Sequence, residues 1–181
     1  MNNFLHKTKP TRNGWGCAIF TNIFTISVTD TEATLWGKNH ESKALETLEK
    51  TRNITINQPK KFVPKQYKWM VCIPDGLVVE KDKSGNTCIV EVKCPFRCKD
   101  AKLEDVAATD DDFCLKLWNG KLRLWKSHDY YFQIQGMLNM MNLETCYFGV
   151  WTPTEFHSEI VTRDKNLWNT LMFPRLLEFY R

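Results

Sequence analysis

Features typical of secreted and membrane proteins are missing from this sequence. No apolar run approaches the length of a membrane-spanning helix. Residues 1–13 are polar and basic, so they lack the apolar segment of a secretory signal peptide. The seven cysteines are odd in number and scattered, which argues against a disulfide framework. We therefore expect an intracellular protein, nuclear or cytoplasmic, with reduced thiols and no membrane partner.

Internal repeats and domain linkers are also missing. The 181 residues are 43% hydrophobic and 25% charged, which suits one globular domain with a sizeable core. An aromatic content of 13% excludes a disordered tail. The net charge of +4 is compatible with nucleic-acid binding but does not predict it. We predict a single domain over 1–181, in which residues 1–30 are a basic lead-in with an apolar strand over 17–28.

The chemistry is predicted to centre on a β-hairpin. Its strands are apolar runs at 65–77 and 88–93, separated by a polar turn. Alternation along the second strand puts Glu91 and Lys93 on one face. Asp75, at the end of the first strand, can converge with them, and Mg²⁺ prefers such hard oxygen ligands. The adjacent lysine could orient a water or neutralise a phosphate. The simpler interpretation is an exposed hairpin with solvated charges.

Two predicted helices bring further polar side chains to this region. Residues 34–50 show a helical apolar stripe that includes Glu41, and a carboxylate there needs a metal or a donor. Residues 130–142 show a second stripe that includes Gln133. Each residue also has a purely structural explanation. Glu41 would reach water from the edge of its stripe, and Gln133 would be a hydrogen-bonded core amide.

The remaining predicted elements alternate between helix and strand. They are a short helix, a hairpin, two strands and a final helix, predicted over 100–108, 113–124, 146–151, 156–162 and 165–180. Asn119-Gly120 is a strong turn signal for the hairpin. Asp164 can cap the final helix, and Pro174 is predicted to kink or end it.

Four short motifs follow one another along the chain. Gly37-x-x-x-Glu41-x-x-Ala44 comes first, and the pair Pro74-Asp75 follows. Glu91-Val92-Lys93-Cys94-Pro95-Phe96 and His128-x-Tyr130-x-x-Gln133-Ile134-Gln135 come next. Together they resemble the lambda exonuclease and YqaJ-type viral recombinase family of the PD-(D/E)XK nuclease superfamily. The resemblance runs from about residue 35 to residue 181.

The resemblance implies a fold and an activity. The fold is α/β, a mixed α+β arrangement with a central mixed β-sheet flanked by helices and a restriction-endonuclease-like core. The activity is metal-dependent hydrolysis of phosphodiester bonds, as a 5′ to 3′ exonuclease on duplex DNA ends in recombination or DNA processing. Mg²⁺ would be the cofactor, with Mn²⁺ as a substitute. A single-strand annealing protein is an expected partner, and both a monomer and a ring-shaped trimer occur among such relatives.

The resemblance also implies roles for individual residues. The catalytic residues would be Asp75, Glu91, Lys93, Glu41 and Gln133. The metal would be held by Asp75, by Glu91, by the backbone carbonyl of Val92, and by Glu41 directly or through water. The residues expected to contact DNA are Lys99, Arg97, Gln135 and Tyr131. For Gln135, packing is the alternative.

Departures from the family pattern concern how a DNA end is held. Ile73 stands where lambda-type enzymes carry a small polar residue that helps to hold a 5′-phosphate. Lys99 replaces an arginine and so offers a point charge in place of a fork. Arg12 is the only arginine before Arg52, and no N-terminal Arg and Ser segment is evident beside it. The metal centre is not affected.

Two other functions fit parts of the sequence. A non-catalytic DNA-binding relative of the same fold is one, although the intact Asp75, Glu91 and Lys93 argue against it. The other is a zinc module, whose candidate ligands are Cys94, Cys98, Cys88 and His128. The Cys-x-x-x-Cys pair lacks a second paired half. Iron–sulfur nucleases are excluded because their Gln-x-x-x-Tyr helix is missing.

Overall fold

The computed structural model describes residues 31–79 and 86–180. In chain order its elements are α1 (Glu32–Arg52), β1 (Gly76–Val79), β2 (Thr87–Lys93), α2 (Leu103–Thr109), β3 (Leu115–Trp118), β4 (Lys121–Leu124), α3 (Asp129–Met141), β5 (Thr145–Trp151), β6 (Phe156–Thr162), α4 (Lys165–Leu167) and α5 (Phe173–Tyr180). The strand predicted over 17–28, and Arg12, lie outside the described residues. No helix in the described part of the chain is both long and apolar enough to cross a membrane.

The main sheet is mixed. Its strand order is β1-β2-β5-β6, in which β2 and β5 are parallel and both outer pairs are antiparallel. The inner strands β2 and β5 are almost continuously apolar, as expected for strands covered on both faces. The long parallel connection between them carries α2, the β3–β4 hairpin and α3. The predicted fold class, a mixed α+β arrangement with a central mixed sheet flanked by helices, is confirmed.

Alternation along β2 divides its side chains between two hydrophobic clusters. Val90 and Val92 pack on one face with Ala44 and Leu48 of α1. Ile89 packs on the opposite face, in the larger cluster that contains α3. Glu91 and Lys93 have the parity of Ile89, so they lie on the α3 face, as predicted.

The strand predicted over 65–77 is wrong. The first strand is only Gly76–Val79. The preceding residues form isolated bridges, one between Phe62 and Cys72 and one from Asn57 to Leu77 of β1. The alternating aromatic residues pack against the C-terminal helix instead. The rings of Tyr67 and Phe173 lie 4.8 Å apart, and the ring of Trp69 stacks on another aromatic of α5. The apolar alternation therefore reflects this packing and not a strand.

The predicted helices are found, with shifted ends. Helix α1 begins after Thr31, whose hydroxyl accepts a hydrogen bond from the Thr34 N–H at 3.2 Å. The short helix starts at Leu103, three residues later than predicted. Asp164 caps the last helix as predicted, but Pro174 does not end it. A π-helical stretch, Trp168–Met172, precedes the proline. Its wider turn allows the helix to continue through Pro174, which has no N–H to donate.

The second hairpin is confirmed. Its strands β3 and β4 pair antiparallel, and Asn119 and Gly120 form the two-residue turn with φ of 49° and 71°. Left-handed φ at both positions is what a two-residue hairpin turn requires, and asparagine and glycine tolerate it best. Leu115 and Leu124, at the base, are buried in the α3 cluster.

Candidate active site

A cleft of about 550 Å³ opens at the C-terminal end of β2. Its walls come from α1, from the start of α3 and from the segment that follows β2. The lining residues include Glu41, Asp75, Lys93, Arg97 and Tyr130. The structure therefore brings three of the predicted catalytic side chains to the wall of one cleft.

Asp75 is tied to the neighbouring strand at the mouth of this cleft. It directly precedes β1, and its N–H donates to the Val90 carbonyl at 3.0 Å. Its Oδ2 accepts from the Val92 N–H at 2.8 Å. Gly76 follows it because a Cβ there would overlap Ile56 Cγ2 and lie 3.3 Å from Val90 Cβ. The close approach of the two strands thus fixes the position of the carboxylate.

Glu91 is the most enclosed carboxylate of the site, with only 1% of its surface exposed. Its Oε1 accepts hydrogen bonds from Lys93 Nζ at 2.6 Å and from Gln133 Nε2 at 2.7 Å. Its Oε2 is buried without a hydrogen-bond partner. A buried carboxylate oxygen without a donor is costly, so this atom is suited to accept a cation. Gln133 borders the site, as the sequence predicts.

Burial and mutual charge set the protonation of the site. Burial raises the pKa of Glu91 to about 7, an effect that Asp75 reinforces and Lys93 opposes. Burial also raises the pKa of Asp75, against the charge of Lys93 and the Val92 N–H. Burial lowers the pKa of Lys93, but the carboxylates of Glu91 and Asp75 outweigh it and the net shift is upward. Lys93 is therefore an ammonium ion at neutral pH.

Glu41 lies at the cleft without being buried. The Glu41 residue is exposed, although Ala44 and Leu48 of the same helical stripe are buried. Partial burial and the nearby Asp75 raise its pKa, and Lys93 lowers it. Glu41 lines the same cleft as Asp75 and Lys93. Its position allows a metal contact through water.

The donor set fits a hard divalent cation better than zinc. Nowhere in residues 31–79 and 86–180 do three Asp, Glu, His or Cys side chains gather closely enough to hold an ion by themselves. Mg²⁺ keeps several waters and needs only one or two carboxylates, which Asp75 and Glu91 offer. Val92, whose carbonyl is the third predicted ligand, also lines the cleft.

The candidate zinc ligands are used in other ways. Cys94 and Cys98 are free thiols, and burial raises their pKa to about 12 and about 11. Cys88 is buried on the α1 face of β2, where its Sγ lies 2.9 Å from the Thr145 hydroxyl oxygen. His128 accepts a hydrogen bond from the Tyr130 N–H at 3.0 Å and so caps α3. A structural zinc needs four converging ligands, and no three His, Cys, Asp or Glu side chains gather at one point in the described residues, which does not support a zinc module.

The residues predicted to contact DNA divide into two groups. Arg97 and Lys99 are accessible: Arg97 lines the cleft and forms an ion pair with Asp110, and Lys99 lies over the Phe96 ring. Gln135 and Tyr131 are buried, because α3 is covered on nearly every side, and this burial argues against direct DNA contact. The Gln135 amide donates to the Thr162 carbonyl and accepts from the Asp164 N–H, which is the packing role.

Tyr130 is a site residue that the sequence analysis missed. It was assigned to the apolar stripe of α3, but its ring lies at the cleft with Lys93 Nζ 4.8 Å from the ring centre. Burial raises the pKa of its hydroxyl, so it is neutral. The sequence motif could have indicated this role, since Tyr130 belongs to the same motif as Gln133. Its ring forms one wall around the lysine and limits its contact with water.

Comparison with known proteins identifies related sequences and folds. The model of the YqaJ-like viral recombinase domain matches residues 7–144. No curated protein sequence matches the chain. The alkaline exonuclease LHK-Exo from Laribacter hongkongensis has a similar structure, with a TM-score of 0.60 at 16% identity over 91% of this chain and 86% of that one. Its complex with dAMP gives 0.63 at 15% identity with the same coverage. A phage related exonuclease from Haemophilus somnus gives a TM-score of 0.53 at 12% identity, over 92% of this chain and 83% of that one.

Proposed function

The chain belongs to the YqaJ-like viral recombinase family, and from this premise we propose that it is a metal-dependent DNA nuclease. The observation that carries the proposal is the buried, unpartnered Oε2 of Glu91, whose other oxygen accepts from Lys93, together with Asp75 and Lys93 at the wall of one cleft. The fold shared with two proteins named as exonucleases supports it. The finer proposal is a 5′ to 3′ exonuclease on duplex DNA ends that works in recombination with a single-strand annealing protein.

The metal would be held by the two enclosed carboxylates. Asp75 and Glu91 would bind Mg²⁺, or Mn²⁺ in its place, with the Val92 carbonyl as a third ligand and Glu41 acting through water. The bound cation would polarise the phosphodiester and lower the pKa of an attacking water. Metal binding would also supply the partner that Glu91 Oε2 lacks.

Lys93 would act as a cation and not as a base. Its raised pKa keeps it protonated, so it cannot accept a proton from water at neutral pH. Its Nζ can stabilise negative charge that develops on the phosphoryl oxygens, or orient a water by donating to it. Gln133 would be a positioning residue, because it holds the Glu91 carboxylate through Oε1 and leaves Oε2 open.

Cleavage of uniformly labelled DNA tests this proposal. The protein is incubated with linear and with circular duplex in Mg²⁺, in Mn²⁺ and in chelator. We expect loss of the linear duplex only, in either metal, and none in chelator. Glu91→Gln should be inactive, and Glu46→Gln, which changes an exposed glutamate of α1, should match the unaltered protein.

Three outcomes would contradict the proposal at different levels. Cleavage in chelator would contradict the metal dependence of the proposed reaction. Cleavage of circular duplex would show an endonuclease and contradict the proposed exonuclease activity. Duplex binding without cleavage in any divalent metal would identify the protein as a non-catalytic DNA-binding relative.

A further inference from the structure

The hairpin β3–β4 combines an exposed aromatic ring with a cluster of basic side chains. Trp118, at its tip, is 73% exposed, the highest fraction among the large hydrophobic side chains of the described residues. Residues 113–128 contain four lysines and arginines and no Asp or Glu. This segment therefore accounts for the whole formal net charge of +4, and the rest of the chain is balanced.

Strand register puts the ring and the charges on the same face. Lys116 pairs with Arg123, and Trp118 pairs with Lys121. Residues directly opposite in an antiparallel pair share a face, and alternate residues of one strand do as well. The tryptophan and three cations therefore lie on one face, and the leucines lie on the other, where Leu115 and Leu124 join the core.

The hairpin is held firmly at its base. The Leu124 N–H donates to Glu159 Oε1 at 2.6 Å, and the Trp125 N–H donates to the Cys114 carbonyl at 2.8 Å. Arg123 also lies 3.5 Å from Glu159 Oε2. A side chain on such a frame loses less conformational freedom when it binds than one on a mobile loop.

The hairpin is connected to the rim of the cleft. Lys116 Nζ donates to the Asp110 carbonyl at 2.9 Å. The carboxylate of Asp110 forms the ion pair with Arg97, which lines the cleft. A nucleic acid strand that leaves the cleft past Arg97 would therefore meet the charged face of the hairpin.

We propose that this face of β3–β4 binds single-stranded DNA, with Trp118 stacked on a base and Lys116, Lys121 and Arg123 near phosphates. Aromatic stacking together with lysine and arginine contacts is how proteins bind single strands without sequence preference. A single strand is favoured over a duplex because it offers base faces along its whole length. The inference rests on the proposed function in one respect: a nuclease that degrades one strand from an end exposes the other.

Binding of a fluorescently labelled thymidine oligonucleotide in chelator tests the proposal. Chelator prevents cleavage, so affinity is read by anisotropy without any contribution from nuclease activity. Trp118→Ala should weaken binding about tenfold, and Trp118→Phe should stay within about threefold of the unaltered protein. Phe179→Ala removes an aromatic residue of similar exposure, 68%, from α5 and should change nothing.

Salt dependence tests the charged part of the face. Each phosphate contact to a single strand contributes about 0.7 to the slope of log affinity against log salt concentration. Lys121→Gln should therefore reduce the slope by about that amount, and Trp118→Ala should leave the slope unchanged while lowering the affinity.

Two results would overturn the proposal. Unchanged affinity in Trp118→Ala would exclude stacking, and an unchanged slope in Lys121→Gln would exclude the phosphate contacts. Either result would leave a protein partner as the occupant of this face. The outcome is separable from that of the nuclease proposal, because single-strand affinity is read in chelator and does not depend on whether the unaltered protein cleaves DNA.

Discussion

At the scale of single residues, the carboxylates and the lysine of the site have different proposed roles. Asp75 and Glu91 are enclosed carboxylates, and Lys93 is an ammonium ion that bonds only one oxygen of Glu91. An ammonium cannot bind a metal ion, since it has no lone pair. Substitution of Lys93 should therefore slow the chemical step, whereas substitution of Asp75 should already weaken binding of the proposed metal.

Paired substitutions test this division of duties. Lys93→Gln, which keeps a donor for Glu91, should reduce turnover by about 100-fold or more while Mn²⁺ affinity stays within about tenfold. Asp75→Asn should reduce both turnover and Mn²⁺ affinity. Calorimetric titration with Mn²⁺ and single-turnover cleavage give the two quantities. An equal fall of Mn²⁺ affinity in both variants would contradict the assigned roles.

Glu159 gives a second residue-scale prediction, in acid stability. Partial burial raises its pKa, but hydrogen bonds from His157 and the Leu124 N–H, with the charge of Arg123, make the net shift downward. A lowered carboxyl pKa stabilises the folded state above about pH 4.5, and this stabilisation is lost as the pH falls through the folded pKa.

Glu159→Gln should thus lower the free energy of unfolding by about 1–2 kcal/mol at pH 7. The difference from the unaltered protein should shrink towards zero in acid, once the pH lies below the folded pKa of Glu159 and both side chains are neutral. Urea unfolding at pH 7 and in acid measures it. A difference that is the same at both would show that the charge of Glu159 is not what holds the hairpin.

At the scale of elements, helix α1 and strand β1 use glycine for different reasons. Gly76 is buried where a Cβ would meet Ile56 and Val90, so the missing side chain permits close packing. Gly37 lies within α1, and a Cβ there would have nothing within 4 Å. Glycine inside a helix is destabilising relative to alanine, so this position carries an entropic penalty without a packing gain.

The same substitution should therefore have opposite effects at the two sites. Gly76→Ala should lower the free energy of unfolding by roughly 1–3 kcal/mol through overpacking. Gly37→Ala should raise it by about 0.5–1 kcal/mol. Chemical denaturation of both variants, in chelator, is the measurement. Destabilisation by Gly37→Ala would contradict the absence of a packing role for this glycine.

At the scale of the whole molecule, two of the described positions expected to bind a terminal phosphate offer few hydrogen-bond donors. Ile73, next to Pro74-Asp75, is 57% exposed and offers no donor. Lys99 brings a charge without a bidentate fork, and its ammonium already lies 4.5 Å from the Phe96 ring centre. Recognition of a 5′-phosphate needs several convergent charged donors, which these two residues do not form.

We therefore expect weak preference for a 5′-phosphorylated end. Initial rates on two duplexes that differ only in that phosphate should agree within about tenfold at equal salt, which corresponds to about 1.4 kcal/mol. A preference of several hundredfold would require a phosphate pocket built by other residues, for which Arg97 and Arg12 are the candidates. Whether the protein acts as a monomer or as a ring-shaped trimer stays a prediction for sedimentation to test.

Local spacing was enough to predict most helices and strands of this fold and the faces that carry the candidate site residues. The alternation in β2 placed Glu91 and Lys93 on one face, and helical periodicity together with the motif placed Gln133 beside them. The Asn119-Gly120 turn was equally readable, because its φ values suit those two residues. Each of these inferences depends on the geometry of a single strand, helix or turn, which neighbouring residues determine.

Only the tertiary structure decided what those elements face. The aromatic residues before Asp75 alternate like a strand, yet they pack against α5, and periodicity does not identify a partner distant in sequence. Glu41 shares the helical phase of the α1 stripe but is exposed at the cleft. Gln135 was expected either to contact DNA or to pack, and it is buried, since neighbouring elements cover α3. Burial depends on every neighbouring element at once, so a local pattern cannot determine it.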